Sequence, residues 1–385
     1  MRQHAGRVVA ALRRTGRRAA PILTVSVMVV AAGGAVGQAQ AHPHSVAQPA
    51  PKSAAPLQWT QTPTGRQTAG LADVDSGAGE TWALGAEVAN DFGDGRPIAL
   101  RWQGGTWRVT RIPVIVNSTL TSLAVAGAND VWAVGYDASD PSVSKPLVVH
   151  WNGVKWAVVP GPPVPAGSFS DVQVAADGSV WVAGWASIHG REHAAVFRHT
   201  GRGWERLSAG LEGGINGNAL AVLSASDAWL GMNGGLAHFD GTRWSLVSDL
   251  PAAGVPTALE AVGPKDIWLA GIDQGSGTPF GSSLLMHYDG TSWKRIAAPP
   301  GSTQLYDLVL RGGRPIAVGE WFEEESFESG QLVLEYDGSE FVQVNSPTDV
   351  AGTLTGAAVD GNRLWAVGHV FATPAEPAAF AAYAE

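Results

Sequence analysis

The 385-residue sequence contains no cysteine. That excludes disulfide staples and any lipid anchor attached through a thiol, so stability must come from burial alone; some 330 Trp-rich residues are enough for that. Basic residues are also scarce. Of 25 Lys and Arg, six are arginines within residues 1–18, so 25 − 6 leaves 19 basic against 34 acidic residues and a formal charge near −15 for the remainder. This charge argues against nucleic acid and against anionic membrane surfaces as partners. Uncharged sequence is concentrated at 19–36, which holds Pro21 and Gly33-Gly34 and runs to Ala39-Gln40-Ala41. An arginine-rich start, an apolar stretch and a small-residue cleavage site read as a secretory signal over 1–41, with the mature chain beginning near His42 and an extracellular location. If the leader stays uncleaved, it is the sole membrane contact expected. Arg17-Arg18 leaves the general and twin-arginine export routes both open. Residues 42–56, rich in Pro, Ala and Ser, are expected to be a flexible linker.

What the chain has in abundance is tryptophan, sixteen in all, and these are periodic. An apolar strand ending in Gly recurs as TWALG (Trp82), VWAVG (Trp132), VWVAG (Trp181), AWLG (Trp229), IWLAG (Trp268), PIAVG (Ile316) and LWAVG (Trp365), at steps of 50, 49, 48, 39, 48 and 49. A second anchor, two aromatics flanking a turn, recurs as Trp102/Trp107, Trp151/Trp156, His199/Trp204, Phe239/Trp244, Tyr288/Trp293 and Tyr336/Phe341. Stepping back 48 from Trp107 lands on Trp59, and the aromatic of the seventh copy is Tyr383, two residues from the end.

A repeat of about 40–50 residues built from four short strands is the mark of a β-propeller. The expected architecture is all-β: a seven-bladed propeller over 57–385, closed by an N-terminal outer strand around Trp59 that pairs in the last blade. Asn152-Gly153, Asp240-Gly241, Asp289-Gly290 and Asp337-Gly338 read as tight hairpins, since both residue types tolerate positive φ. These short turns fall on one face of the disc, and the long irregular loops on the other.

The VWAVG strands alternating with hairpins such as HYDGTSW resemble the kelch-like β-propeller repeats of many secreted actinobacterial proteins. The resemblance covers essentially all of 57–385 and implies the fold. It implies no single function, because propellers serve as lectins, docking platforms and enzymes alike. The chain differs from true kelch repeats in lacking paired glycines at most copies, and from WD repeats in lacking the Trp-Asp dipeptide.

Long loops on a rigid scaffold are the usual carriers of binding. Trp185 and Trp321 alone lie outside the repeat register, and both follow directly on a second strand where the chain leaves for the long-loop face. Tyr136 and His369 take the matching place in their repeats, with Phe92, Phe280, Phe322, Phe327 and Phe371 in the same loops. Exposed rings stack on sugars or anchor protein partners. The expected ligand-binding set is therefore Trp185, Trp321, Tyr136, Phe322 and His369. The alternative is that these rings pack the loops.

The run Glu320-Trp321-Phe322-Glu323-Glu324-Glu325-Ser326-Phe327-Glu328 is acidic and aromatic, without the ligand spacing of a calcium site. Asn90, Asp91 and Asp94 are treated in the same way. His189–His193 matches H-x-x-E-H, yet a zinc site of that pattern needs a helical turn, and here a Gly-containing loop joins two strands. His150, His238 and His287 share a repeat position with Arg101, Arg198 and Glu335 and are read as an outward-facing repeat site. A copper-radical oxidase would need a cysteine. No catalytic residues, metal or cofactor are expected. The leading function is a secreted, monomeric, non-enzymatic module binding a glycan or cell-envelope ligand. Alternatives are a protein-docking scaffold in a secreted assembly, or a hydrolase or lyase with its site at the channel mouth.

Overall fold

The computed structural model describes residues 56–385, apart from 67–68, 89–94, 114–116, 212–215, 234, 248–249, 252, 327 and 374–375. The expected leader, almost all of the linker, Asn90, Asp91, Phe92, Asp94 and Phe327 lie outside the described residues.

Seven four-stranded antiparallel sheets stand around a central channel. Six are consecutive meanders, and the seventh combines the last three strands with the first, Trp59–Gln61. Trp59 pairs with Ala384, Thr60 with Tyr383 and Gln61 with Ala382, so the two ends of the described chain share one sheet. Thr62 extends the closure, its N–H and hydroxyl both donating to the Ala381 carbonyl at 2.8 and 3.0 Å. The seven-bladed, ring-closed propeller expected from the repeats is the observed fold.

The core is divided among seven seams, one between each pair of neighbouring blades. The two sequence anchors are the two halves of one seam. Trp82 of blade 1 lies 5.1 and 5.5 Å from the ring centres of Trp151 and Trp156 in blade 2. Trp229 meets Tyr288 and Trp293 of blade 5, Trp268 meets Tyr336 and Phe341 of blade 6, and Trp365 meets Trp102 and Trp107 of blade 1. Tilted and edge-on rings at these separations add specific attraction to a large buried area.

On the channel-distal side of each inner tryptophan sits a partner on the third strand. His150 stacks on Trp132 at 4.3 Å and bonds Asp130 at 2.8 Å, while the Trp132 indole N–H donates to the same Asp130 oxygen at 2.7 Å. His287, Trp268 and Asp266 repeat this arrangement, and His238 packs at a tilt on Trp229 and bonds Asp227. In blade 1, Arg101 lies over Trp82 and bonds Glu80; blade 6 reverses the charges, Arg314 pairing with Glu335. The histidines read as an outward-facing repeat site are therefore partners of an acid and an indole within each sheet. The same register corrects the seventh copy: Tyr383 faces Trp365 across the strands, where other blades carry His, Arg or Glu, and Ala384 takes the place of the aromatic.

The Asp-Gly turns also differ from expectation. In 152–153, 240–241, 289–290 and 337–338 only the glycine has positive φ, between 88° and 105°. The Asp or Asn caps a longer loop instead: Asp289 Oδ1 accepts from the Thr291 N–H, the Thr291 hydroxyl and the Ser292 N–H. Asp240 is capped in the same way, and the hydrogen bonds from the Thr242 hydroxyl and the Arg243 and Thr242 N–H groups hold its carboxyl down at about 2.

Two outcomes test this architecture. Trp181, fully buried against Phe239 and Trp244, is expected to cost about 3–5 kcal/mol when changed to Ala, read from urea unfolding midpoints. Truncating the chain through Thr62 leaves the outer edge of the last sheet unpaired, and is expected to lower the melting temperature and produce self-association in light scattering.

Candidate functional site

Each inner strand has one edge in its sheet and the other turned to the channel, so its alternate N–H groups need partners from elsewhere. The preceding blade supplies several of them. Asp73 Oδ2 accepts from Leu123 N–H at 2.8 Å, Asp171 Oδ2 from Leu220 N–H at 2.7 Å, and Asp307 Oδ2 from Ala357 N–H at 2.8 Å. Two residues further on, Asp75 caps Val125 N–H and Gln173 caps Val222 N–H. A bulge precedes the Asp73 position in every blade, and where the bulged residue is Thr its hydroxyl bonds the next blade: Thr121 to Phe169 O, Thr257 to Leu305 O and Thr355 to Leu71 O.

Burial opposes these charges. It raises Asp171 to about 6 and Asp307 to about 7 against the lowering by their N–H donors, and raises Asp73 well above its ordinary value, with Asp307 adding to the effect. Glu260 is raised to about 8, first by burial and then by the charges of Asp307, Asp75 and Asp171. The sequence carried a signal of this in the lone acids of FSDVQV and LYDLVL, whose role appears only once the strand is known to be an edge.

At the long-loop end the expected site residues are dispersed. Trp185 pairs with Ser168 and Ala194, Tyr136 with Thr119 and Pro146, and His369 with Thr353 and Ala379, each at the same place in its blade. Strand alternation turns all three toward the following blade, so they occupy three separate seams: 3/4, 2/3 and 7/1. Trp185 and Tyr136 are half-buried. His369 is buried, 5.1 Å from Phe371, and burial lowers it to about 4. The equivalent of Trp185 in blade 6 is Glu320. Trp321 is one residue on and faces blade 5, packed against the 5/6 seam and over Gly330, where an added Cβ would lie 2.7 Å from the indole.

Two groupings near blade 6 were not foreseen. Phe322 stacks on Phe280 from the blade 5 loop, with ring centres 4.7 Å apart at 21°. Glu320 accepts from the Tyr306 hydroxyl at 2.5 Å and the Thr353 hydroxyl at 2.6 Å, bridging blades 6 and 7, while Gln304 donates to Phe280 O. Burial, and then Glu320, raises the Tyr306 phenol, so it serves as a protonated donor and not as a nucleophile. Among the described residues no three His, Asp or Glu are grouped to hold one metal ion. His189-Gly190 is a two-residue hairpin with φ of 52° and 75°, which separates His189 from His193 along a strand.

The long loops are also unevenly distributed. Between second and third strands, blade 3 turns in two residues, whereas the fully described loops 138–144 and 274–281 are longer.

No protein-family model and no curated protein matches the sequence. Solved structures do match, at propeller level. The structure of YCF48 bound to D1 peptide is 15% identical with a TM-score of 0.56, covering 86% of this chain and 96% of that one. The WD40 β-propeller domain of Doa1 is 10% identical with a TM-score of 0.55, covering 85% and 96%. The GH74 xyloglucanase of Xanthomonas campestris is 14% identical with a TM-score of 0.55, covering 84% of this chain and 55% of its own. At these identities the likeness is one of fold.

The buried acids give a pH dependence. Their folded-state values lie above the carboxylate range of the unfolded chain, about 4. Their contribution is full below that range and is lost as pH rises through about 6 to 8. His369, lowered from 6.5 to about 4, contributes fully above 6.5 and loses its part as pH falls, so the two oppose each other in mild acid. Between pH 6.5 and 9 the unfolding midpoint is therefore expected to fall, and Glu260→Gln to flatten the upper part of that fall, in urea titrations at fixed ionic strength.

Proposed function

We propose that this protein is a secreted, non-enzymatic binding module that docks a basic segment of a protein partner on the long-loop end of blades 5 and 6. The observation that carries the reading is the juxtaposition of exposed carboxylates with an aromatic pair. Glu323, Glu324, Glu325 and Glu328 are exposed in one loop beside the half-buried Phe280–Phe322 stack. Glu323 N–H is bonded to Glu328 O, and Glu324 accepts from the Ser302 hydroxyl at 2.7 Å. Aromatic anchors ringed by charge suit a polypeptide: the rings supply contact area, and the carboxylates supply steering and choice of partner. The net acidity of the chain supports a cationic partner, and the arginine-rich leader followed by a small-residue cleavage site supports export.

A glycan ligand is the second reading, favoured by Trp185 and Tyr136, two half-exposed rings at equivalent places in adjacent blades. The two readings place binding at different residues. In fluorescence anisotropy with labelled Lys/Arg-rich, neutral and acidic peptides, the basic peptides are expected to bind best. Changing Glu323, Glu324, Glu325 and Glu328 together to Gln is expected to weaken them about tenfold or more, with added salt weakening the native protein in the same sense. Equal binding of all three peptide classes would refute the docking reading. Polysaccharide binding lost in Trp185→Ala but kept in the glutamine variant would favour the glycan.

A further inference from the structure

The channel itself holds a cavity of about 380 Å³, lined by residues from all seven inner strands. This is within the size range of small-molecule sites. Five carboxylates line it: Asp73, Asp171 and Asp307 at one level, Asp75 and Glu260 two residues further along their strands. Two residues of strand separate the levels by about 7 Å. Among the described residues no Lys, Arg or His lines the cavity.

Four of the five acids are engaged by the framework. Asp73, Asp75 and Asp307 each accept two main-chain N–H groups, and Asp171 accepts one N–H and the Ser122 hydroxyl. Their role in holding the blades together explains their presence without any ligand. Glu260 is different. It is half-buried and lines the cavity, and among the described residues no donor bonds its carboxylate. This carboxylate is not needed to cap a strand, since alanine stands at the same register in blades 2, 4 and 7.

We infer that the channel binds a small organic polycation, an alkyl diamine or polyamine, with one ammonium at Glu260 and Asp75 and another at the level of Asp73, Asp171 and Asp307. Two features favour this class over an inorganic ion. The acids are spread over two levels, and no three are grouped to share one metal. An ammonium needs only acceptors, which the cavity wall provides, and an extended diamine places charges at both levels. The site is independent of the acidic surface loop.

The test is isothermal titration calorimetry of the full chain at pH 8 with 1,4-diaminobutane and spermidine. Calcium chloride, magnesium chloride and sodium chloride at matched ionic strength are the comparators, and Nα-acetyl-lysine amide is a separate arm. Saturable polyamine binding is expected, with an enthalpy that depends on the buffer because an arriving ammonium expels a proton from Glu260. Glu260→Gln keeps the side-chain volume and removes no hydrogen bond, so it is expected to melt as a folded protein while binding about tenfold more weakly and losing the buffer dependence. Asp307→Asn is expected to weaken binding as well, with its own melting curve as the check on folding. The inference is overturned by an absence of saturable polyamine binding, by an equal response to sodium chloride, by binding of calcium or magnesium in preference, by binding of the lysine derivative alone, or by unchanged polyamine affinity in folded Glu260→Gln.

Discussion

The structure depends on a contact between neighbours: at six of the seven seams an inner tryptophan of one blade is set into the aromatic pair of the next, and at the seam between blades 6 and 7 Ile316 takes its place. A single four-stranded sheet cannot bury its two apolar faces, and a row of such sheets leaves two faces bare. Bending the row into a ring turns every face toward another. The interior becomes a set of like seams, each carrying its own large rings and none deeper than the rest. The shortened fourth repeat leaves this contact intact, because Trp229 still meets Tyr288 and Trp293; what it lacks is strand, Asp227–Met232 and Gly235–Phe239 having 6 and 5 residues where blade 3 has 9 and 9.

The ring that satisfies the faces creates a problem at its centre, where seven strand edges converge. The acids and hydroxyls of the channel answer it by reaching from each blade to the main chain of its successor. One set of bonds thus links blades and neutralises orphan N–H groups. It also concentrates negative charge where water is scarce, so the protonation of the channel is tied to the cohesion of the ring. Polar chemistry at the axis therefore follows from topology before any ligand is considered, and Glu260 stands apart because topology does not require it.

Much of the fold was legible because both sequence anchors belong to the repeating contact, and a period in sequence is a period around the ring. Ring closure was legible for the same reason, Trp59 being an outer-strand residue one period ahead of Trp107. The functional surface was less so. Trp185 and Trp321 look alike as aromatics beyond a second strand, but they differ by one residue in phase, and one residue in a strand reverses the side. Tyr383 and Ala384 show the same sensitivity. The Tyr306–Glu320–Thr353 bridge joins residues from three strands of two blades, which no spacing along the chain reveals. Asp-Gly pairs signalled the turns correctly, but whether the Asp bends the main chain or caps it is settled by loop length, not by the dipeptide.

The pairing of Thr60 with Tyr383 has a consequence for how the molecule is made. A chain emerging from its amino end can stack its early sheets as they appear, each on the one before. The last sheet must then wait for its outer strand to be fetched from the far end, across a separation of some 320 residues. Closing so long a loop costs little more entropy than closing one half the length, but it comes last and it comes once. Until that moment both terminal sheets expose an unmatched face, and the nascent chain is most open to aggregation just before the ring closes.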